Sequence, residues 1–376
     1  MANLKRPLHG PSLYYATDKN IFDALNEHKV NSATVAGLFK SRNTLISPQL
    51  SRQKAAKYFS LLTHDYFDHQ TIAAKLGVVA RRERIATVDV VTEVTAEALW
   101  EVANDLARSL REDGDVVDVK REPGRLLFLV QYSQVDYRRS EFNQVQVKDG
   151  VIEFHVTSDG FVLRNTQNDY VDGIRDTLLQ RIGEVAKSGL STNQVTLFAF
   201  PDPGIRSEFF FDLFSGLDGY HLIDVTDVFV YKPAVSQGGH NPDDDDELDD
   251  ESLDSHVERV ALRGRGVSRS DYLGRLTSDG YYTVRVAWKV KEKYSLGNAY
   301  DLEAVFADPL NCTKFSYLVV GVYDYTNEGL STQRRTPNRG EVAELSKAIE
   351  ARARKLMVAL TAQLVLENES DGATPG

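Results

Sequence analysis

A short segment with two histidines and two aspartates carries residue types that bind divalent metal ions. It runs His64-Asp65-Tyr66-Phe67-Asp68-His69. Residues four apart share one face of a helix, so His64 would approach Asp68, and Asp65 would approach His69. Imidazole and carboxylate groups are common ligands, but a metal centre needs three or more that converge. His64, Asp68 and His69 are therefore candidate ligands, and exposed histidine–aspartate pairs are the competing explanation.

A second pattern places a carboxylate and a lysine two residues apart, at Asp118 and Lys120. Metal-dependent nucleases arrange acidic groups and a lysine around Mg²⁺ or Mn²⁺ so that the cation activates water beside a phosphate. Asp115 is the candidate for a further acidic ligand. The alternative is that these side chains occupy the charged, outward-facing positions of a strand. A metal-dependent nuclease or phosphodiesterase is therefore the secondary hypothesis, and the primary hypothesis below requires no cofactor.

Positive charge is concentrated near the amino end of the sequence. Residues 1–84, from here on the head, contain 13 basic and 6 acidic residues, whereas the remainder has a net charge of −18 and the whole chain −11. This asymmetry favours a polyanionic partner for the head. Eight basic residues lie at or near the ends of predicted helices, where they could contact phosphates. They are Lys40, Arg42, Arg52, Lys54, Lys57, Arg81, Arg82 and Arg84.

The head also has the apolar spacing of short helices, beginning with Ile21 and Leu25. Asn31 or Ser32 is expected to cap a second helix, Ser51 precedes a third, and Thr63 is expected to cap a fourth. Three or four such helices are typical of a helix-turn-helix or a similar small bundle. The sequence therefore predicts a non-enzymatic nucleic-acid-binding protein, with DNA as the expected partner. The alternative is that the charges form solvated faces of an ordinary helical domain.

The rest of the chain alternates strand and helix signals. Strands are expected at 85–94, 116–120, 126–132 and 194–200, with a hairpin around Asp149-Gly150, helices near 95–111 and 170–187, and further strands over 257–325. The phenylalanine-rich run at 209–214 predicts a buried helix. These patterns predict an α+β fold. It would consist of a small N-terminal helix-turn-helix-like bundle, then mainly antiparallel sheet packed with helices, and a long C-terminal helix.

Composition suggests where the chain divides. The predicted segments are the head (1–84), an α+β domain (85–235), an acidic loop (236–255), a β-rich continuation with the last helix (256–367) and a disordered tail (368–376). The run 243–251 has almost nothing to bury and is expected to be disordered. It is either a passive spacer or a segment that competes with nucleic acid for the head.

The last predicted helix, residues 341–366, has an apolar stripe that includes Leu345, Ile349 and Leu356. Docking on the protein's own sheet is the favoured explanation, with a partner helix or a homodimer as the alternative. A protein-binding adaptor is therefore the third functional hypothesis. The single cysteine, Cys312, favours a reducing compartment, so we expect a cytoplasmic protein. No membrane partner is expected, because no apolar run approaches the roughly 20 residues of a membrane span.

Overall fold

The chain forms two compact units that each draw on distant parts of the sequence. The computed structural model describes residues 16–26, 31–65, 67–69, 71–72, 83–137, 142, 144–186, 189–233, 257–264, 266–267, 271–293, 296–327 and 329–371. Unit 1 comprises Met1–Arg81, Val94–Val156 and Gly173–Lys187. Unit 2 comprises Arg82–Glu93, Thr157–Asp172 and Ser188–Gly376. Most of the head therefore shares a unit with two segments of the body.

The described elements are numbered along the chain. The helices are α1 (Asp18–Asn26), α2 (Ser32–Ser41), α3 (Arg52–Ser60), α4 (Ala96–Glu112), α5 (Asp169–Val185), α6 (Pro203–Ser215), α7 (Asp271–Ser278) and α8 (Arg339–Asp371). The strands are β1 (Ile85–Val91), β2 (Val116–Glu122), β3 (Arg125–Val135), β4 (Val145–Val156), β5 (Gly160–Thr166), β6 (Ser191–Asn193), β7 (Tyr220–Tyr231), β8 (Arg259–Arg263), β9 (Tyr282–Glu292), β10 (Ala299–Asp308), β11 (Thr313–Tyr323), β12 (Tyr325–Thr326) and β13 (Gly329–Leu330). None of the helices within these ranges combines the length and apolarity that crossing a membrane requires.

The head is a small helical bundle, as predicted. Asn31 and Ser51 cap α2 and α3 by accepting hydrogen bonds from the backbone N–H groups three residues further on, at Thr34 and Lys54. The apolar faces of the helices meet in one buried core. Its members include Ile21, Ala24, Leu25, Val35, Leu38, Phe39, Ala55, Ala56, Phe59 and Ile72.

The connection between α2 and α3 differs from a helix-turn-helix. Residues 42–51 separate the two helices, whereas the helix-turn-helix motif joins its helices with a turn of three or four residues. The bundle is therefore supported, but the helix-turn-helix geometry is not.

Unit 1 also contains an antiparallel sheet with the strand order β2-β3-β4. Helix α4 packs against β2, and Thr95 caps it by accepting a hydrogen bond from the N–H of Ala98. In β2 the buried residues Val117 and Val119 alternate with more exposed neighbours, as expected for a strand with one covered face.

Unit 2 is built on a larger antiparallel sheet. Its strand order is β5-β1-β11-β10-β9-β7-β8, and β6 pairs with β1. Helix α6 packs against β9, and α8 packs against α6 and β11. The core between these helices and the sheet contains Phe209, Phe210, Trp288, Leu345 and Ile349. The phenylalanine-rich run is thus a buried helix, and the C-terminal helix docks on its own unit. The fold class is α+β, as predicted.

Two predicted local structures are wrong. The segment around Asp149-Gly150 is not a hairpin, because β4 continues through it and pairs with β3 over residues 145–155, including Asp149 with Gln131. The expected strand at 194–200 is also absent; β6 ends at Asn193 and the following residues are irregular, although Leu197 and Phe200 are buried. In both cases neighbouring chain segments, rather than local turn or strand preference, decided the conformation.

Several predicted segments remain as predictions. The acidic loop, including 243–251, lies outside the described residues. Helix α8 continues to Asp371, three residues past the predicted start of the tail at 368. The two units interleave along the chain, and the linear division expected from composition stays a prediction.

Candidate nucleic-acid interface

Helix α3 presents a polar face on the side opposite the head's core. Ala55, Ala56 and Phe59 are buried against the bundle. Lys54 and Lys57 lie three residues apart and are exposed. The helical period of 3.6 residues therefore sorts the apolar and basic positions to different sides of the helix.

The two lysines of this face are available for an external anion. Within the part of the chain that the structure describes, neither Lys54 nor Lys57 forms an ion pair, and the same holds for Lys40 in the last turn of α2. Gln53 and Tyr58 are exposed beside them, and Tyr58 keeps 56% of its surface. Ammonium groups contact phosphates, and the amide and phenol can donate and accept hydrogen bonds.

Two of the head's described arginines instead stabilise the bundle. Arg42 forms an ion pair with Asp68 and lies over the ring of Phe59, 5.4 Å from its centroid. Arg52 donates a hydrogen bond from Nε to the carbonyl oxygen of Leu25, at 3.0 Å. Both guanidinium groups are therefore engaged within the head, and an external phosphate would compete with these contacts.

The remaining predicted contacts lie elsewhere. Arg84 belongs to unit 2, where its Nε lies 2.7 Å from Oε1 of Glu303. Arg81 and Arg82 lie outside the described residues. Of the eight basic residues singled out in the sequence, Lys40, Lys54 and Lys57 are thus the ones described as exposed and without an ion pair among the described residues.

The histidine–aspartate segment forms a helix cap. Asp65 Oδ1 accepts a hydrogen bond from the N–H of Asp68 at 2.8 Å, and Asp68 Oδ2 accepts one from the N–H of Asp65 at 3.3 Å. This reciprocal arrangement resembles a capping box. The cap of this helical segment is therefore Asp65, and the prediction of Thr63 is wrong by two residues.

The candidate metal ligands do not all converge. His64 Nδ1 lies 3.8 Å from Asp68 Oδ2, whereas the ring of His69 packs edge-on against Phe142. Among the residues that the structure describes, no group of three or more histidine, cysteine, aspartate or glutamate side chains is close enough to hold a metal ion. The Asp68 carboxylate is already engaged by Arg42 and by the cap.

A groove of about 930 Å³ runs between α2 and this capped segment. Gly37 and Ser41 line one side, and His64 and the 72%-exposed Phe67 line the other. Burial lowers the pKa of the His64 imidazole below 6.5, and the positive charge of Arg42 lowers it further, whereas Asp68 raises it. His64 is therefore held mainly neutral at pH 7.

The two main candidate residues of the nuclease hypothesis, Asp118 and Lys120, form an ion pair with each other. Lys120 Nζ lies 3.1 Å from Asp118 Oδ2, and both side chains are about 40% exposed on the same side of β2. Asp115 precedes the strand. An ion pair between two outward-facing side chains accounts for both residues without catalysis. Catalysis with Mg²⁺ or Mn²⁺ stays a prediction.

Sequence patterns did not reveal a buried polar cluster in unit 2. Arg164, Glu350, Tyr317 and Thr87 converge there, with Tyr317 and Glu350 nearly inaccessible to solvent. Burial raises the pKa of Glu350, but hydrogen bonding and charge from Arg164 outweigh it, so the pKa lies below the usual value. Burial and the neighbouring Glu350 raise the pKa of Tyr317. The cluster joins β1, β5 and β11 to α8 and has an architectural role.

Comparisons with known proteins identify no family for the chain. No protein-family profile matches the chain. No curated protein sequence matches it either.

Proposed function

We propose that the protein binds nucleic acid, and specifically duplex DNA, through the exposed face of α3. The observation that supports this proposal is the pair of exposed lysines on that face, Lys54 and Lys57, neither of which has an ion-pair partner among the described residues. In an acidic chain such uncompensated cations are the natural contacts for phosphates.

The dimensions of α3 suit this partner. An α-helix with its side chains is about 10–12 Å across, and the major groove of DNA, about 12 Å wide, admits it. Lys54 and Lys57 would contact phosphates, and Lys40 would add a third contact. Gln53 and Tyr58 would supply hydrogen bonds to base edges or phosphates. Arg42 and Arg52 would hold the bundle in shape.

The binding needs no cofactor, and we expect it to take place in the reducing cytoplasm that a single cysteine favours. Unit 2 would serve as a scaffold or as a surface for a protein partner. The salt dependence of binding is the most direct signature of the proposed contacts. The logarithm of the association constant falls by about 0.9 per decade of salt for each neutralised phosphate.

The test measures binding of the full chain to labelled DNA and RNA at several salt concentrations. Lys54→Ala/Lys57→Ala should weaken binding and reduce the salt slope by about 1.8. The control is Lys293→Ala/Lys347→Ala, which removes two exposed lysines from unit 2. Circular dichroism checks that each variant is folded. Absence of binding by the natural sequence at low salt, or equal slopes for both double variants, would overturn the proposal.

The same assay separates the rival hypotheses. Preferential binding to RNA would retain the α3 face but exclude duplex DNA as its main partner. Cleavage that requires Mg²⁺ or Mn²⁺ and is lost in Asp118→Asn would instead favour the nuclease. If the chain neither binds nor cleaves nucleic acid, the protein-binding adaptor is the favoured hypothesis.

A further inference from the structure

The large sheet of unit 2 has one face that packs on helices and a second face that carries charge. In β9 the buried side chains Val286, Trp288 and Val290 belong to the core that α6 and α8 also form. The side chains that alternate with them along the strand lie on the opposite face, from here on the charged face. They include Arg285, Lys289 and Lys291, which are half-buried.

The strands beside β9 add acidic side chains to the charged face. In the pairing of β10 with β9, Asp301 lies opposite Lys289. Asp227 of β7 and Glu303 of β10 lie on either side of Ala287. Directly opposite side chains of neighbouring strands point to the same face. Acidic and basic groups are therefore neighbours on the charged face.

Two of these carboxylates each contact two arginines. Asp227 Oδ2 lies 3.1 Å from Nε of Arg263 and 3.4 Å from Nη2 of Arg285. Glu303 Oε1 lies 2.7 Å from Nε of Arg84, and its Oε2 lies 3.5 Å from Nε of Arg285. Each carboxylate thus shares its single negative charge between two positive groups.

Asp301 has the same arrangement. Its Oδ1 lies 3.7 Å from Nζ of Lys289, and its Oδ2 lies 3.3 Å from Nη1 of Arg334. The stem of Arg334 lies on Gly321 of β11, where an added Cβ would come within 2.3 Å of the arginine Cδ. Lys291 forms no ion pair with another described residue.

The charged face therefore keeps an excess of positive charge. The contacts above, together with Lys291, contain six basic and three acidic side chains. Asp224, opposite Lys289, adds a fourth acid, whose carboxylate accepts hydrogen bonds from backbone N–H groups. The outermost cations are open to solvent, since Arg263 is 71% exposed and Arg334 50%. In an acidic chain, such a local surplus attracts a polyanion.

Aromatic rings hold the basic side chains of β9 in position. The Arg285 guanidinium lies 4.3 Å from the centroid of the Phe229 ring. The Lys289 ammonium lies 3.8 Å from the centroid of the Tyr323 ring, and Lys291 lies over the ring of Tyr325 at 4.9 Å. A cation that is already fixed over a ring loses less conformational freedom when an anion binds.

We propose that the charged face binds single-stranded nucleic acid, at a site that uses no residue of α3. Phosphates complement the surplus cations, and bases can stack on arginine guanidinium planes. The half-buried Leu318, opposite Glu303, offers a further apolar contact.

The width of the charged face selects a single strand over a duplex. Strands β8, β7, β9, β10 and β11 are adjacent, and five strands spaced about 4.8 Å apart span about 19 Å. This exceeds the major groove of DNA, which is about 12 Å wide. An extended single strand can instead lie along the basic row of β9, with its bases toward the sheet.

Binding to labelled single-stranded DNA and RNA tests the site, with the full chain carrying Lys54→Ala/Lys57→Ala so that the α3 face makes no contribution. This parent should bind at low salt. Adding Arg263→Ala/Lys291→Ala should weaken binding and reduce the salt slope by about 1.4, at about 0.7 per phosphate. The matched control adds Lys347→Ala/Lys355→Ala, two exposed lysines of α8, and should bind like the parent. Thermal unfolding checks the fold of each variant.

Asp301→Asn gives a test in the opposite direction. It removes the negative charge that Lys289 and Arg334 share, and the amide oxygen can still accept the hydrogen bond from the Tyr323 hydroxyl. Binding should tighten a few-fold, and the salt slope should rise by about 0.7 as one more cation becomes free for a phosphate. A merely structural role for Asp301 predicts weaker binding instead.

Three results would overturn the proposal. The first is a parent that does not bind single strands at low salt. The second is an equal loss of binding in the charged-face and control variants, or weaker binding by a folded Asp301→Asn. The third is displacement of the oligonucleotide by poly-glutamate at equal charge concentration, which would identify a general polyanion surface. Because the parent lacks the α3 lysines, none of these results depends on duplex binding by the head.

Discussion

The guanidinium group of Arg164 holds the carboxylate of Glu350 through two hydrogen bonds in the interior of unit 2. Nε lies 2.7 Å from Oε1, and Nη2 lies 2.8 Å from Oε2. Tyr317 and Thr87 donate further hydrogen bonds to the same carboxylate. The two residues are 186 positions apart in sequence, so the contact ties strand β5 to helix α8.

Removing the Glu350 carboxylate should destabilise unit 2. Glu350→Ala removes the buried carboxylate that holds the Arg164 guanidinium, which is itself only 12% exposed. Breaking such a buried pair from one side typically costs about 3–5 kcal/mol. Urea unfolding followed by fluorescence measures the loss. Glu344→Ala, an exposed acid on the same helix, should change the free energy of unfolding by less than about 0.5 kcal/mol. Equal losses in both variants would contradict the role of the pair.

Acidification should destabilise the head through His64. Burial and Arg42 lower the pKa of this imidazole in the folded state below 6.5. The unfolded chain therefore binds a proton at His64 more readily than the folded chain does. The contribution of His64 to stability is therefore complete above pH 6.5 and is lost as pH falls from 6.5 through the lowered folded-state pKa. His64→Asn, which cannot take up this proton, should show a smaller loss.

The measurement compares the free energy of unfolding of the natural sequence and His64→Asn between pH 8 and pH 5. The difference between the two proteins isolates His64 from the other titrating groups. A difference that does not vary with pH would show that His64 has the same pKa in the folded and unfolded chains.

Substitution of Arg42 should reduce the stability of the head, whereas substitution of Lys40 should weaken binding to DNA. Arg42→Ala removes the ion pair with the 13%-exposed Asp68 and the contact with the Phe59 ring. Because Arg42 keeps partial exposure, we expect a loss of about 1–3 kcal/mol in the stability of the head. Lys40→Ala should leave thermal stability unchanged and weaken binding to DNA. The reverse pattern would mean that Arg42 is a ligand contact and Lys40 a structural residue.

Gly160 should be much less tolerant of alanine than Gly114. Gly160 has a φ of +150°, and a Cβ there would lie 2.1 Å from the carbonyl oxygen of Val90 on the adjacent strand. Gly160→Ala is expected to cost about 3 kcal/mol or more, since backbone would have to move. Gly114 has a φ of +100° and open space around it, so Gly114→Ala should cost about 1–2 kcal/mol of backbone strain alone. Chemical denaturation compares them, and similar losses would contradict the steric argument.

The elements that could be predicted depend on residues close together in the sequence. Asn31, Ser51 and Thr95 cap the helices that follow them, because a cap requires only a side chain and an N–H group three residues later. The apolar faces of α4 and α8 were likewise visible in their spacing. The α+β class and the concentration of positive charge in the head follow from the sequence in the same way.

Only the tertiary structure decided which of these basic side chains remain available to contact an external anion. Arg42 is engaged by Asp68, 26 residues away, and Arg84 by Glu303, 219 residues away. The residues around Asp149 became part of a continuous strand because β3 lies alongside them. Local propensity acts over a few residues, whereas ion pairs and strand pairing join segments that only the folded chain brings together. For that reason the sequence predicted a basic head, and the fold distinguished the exposed lysines of α3 from the arginines that hold the bundle.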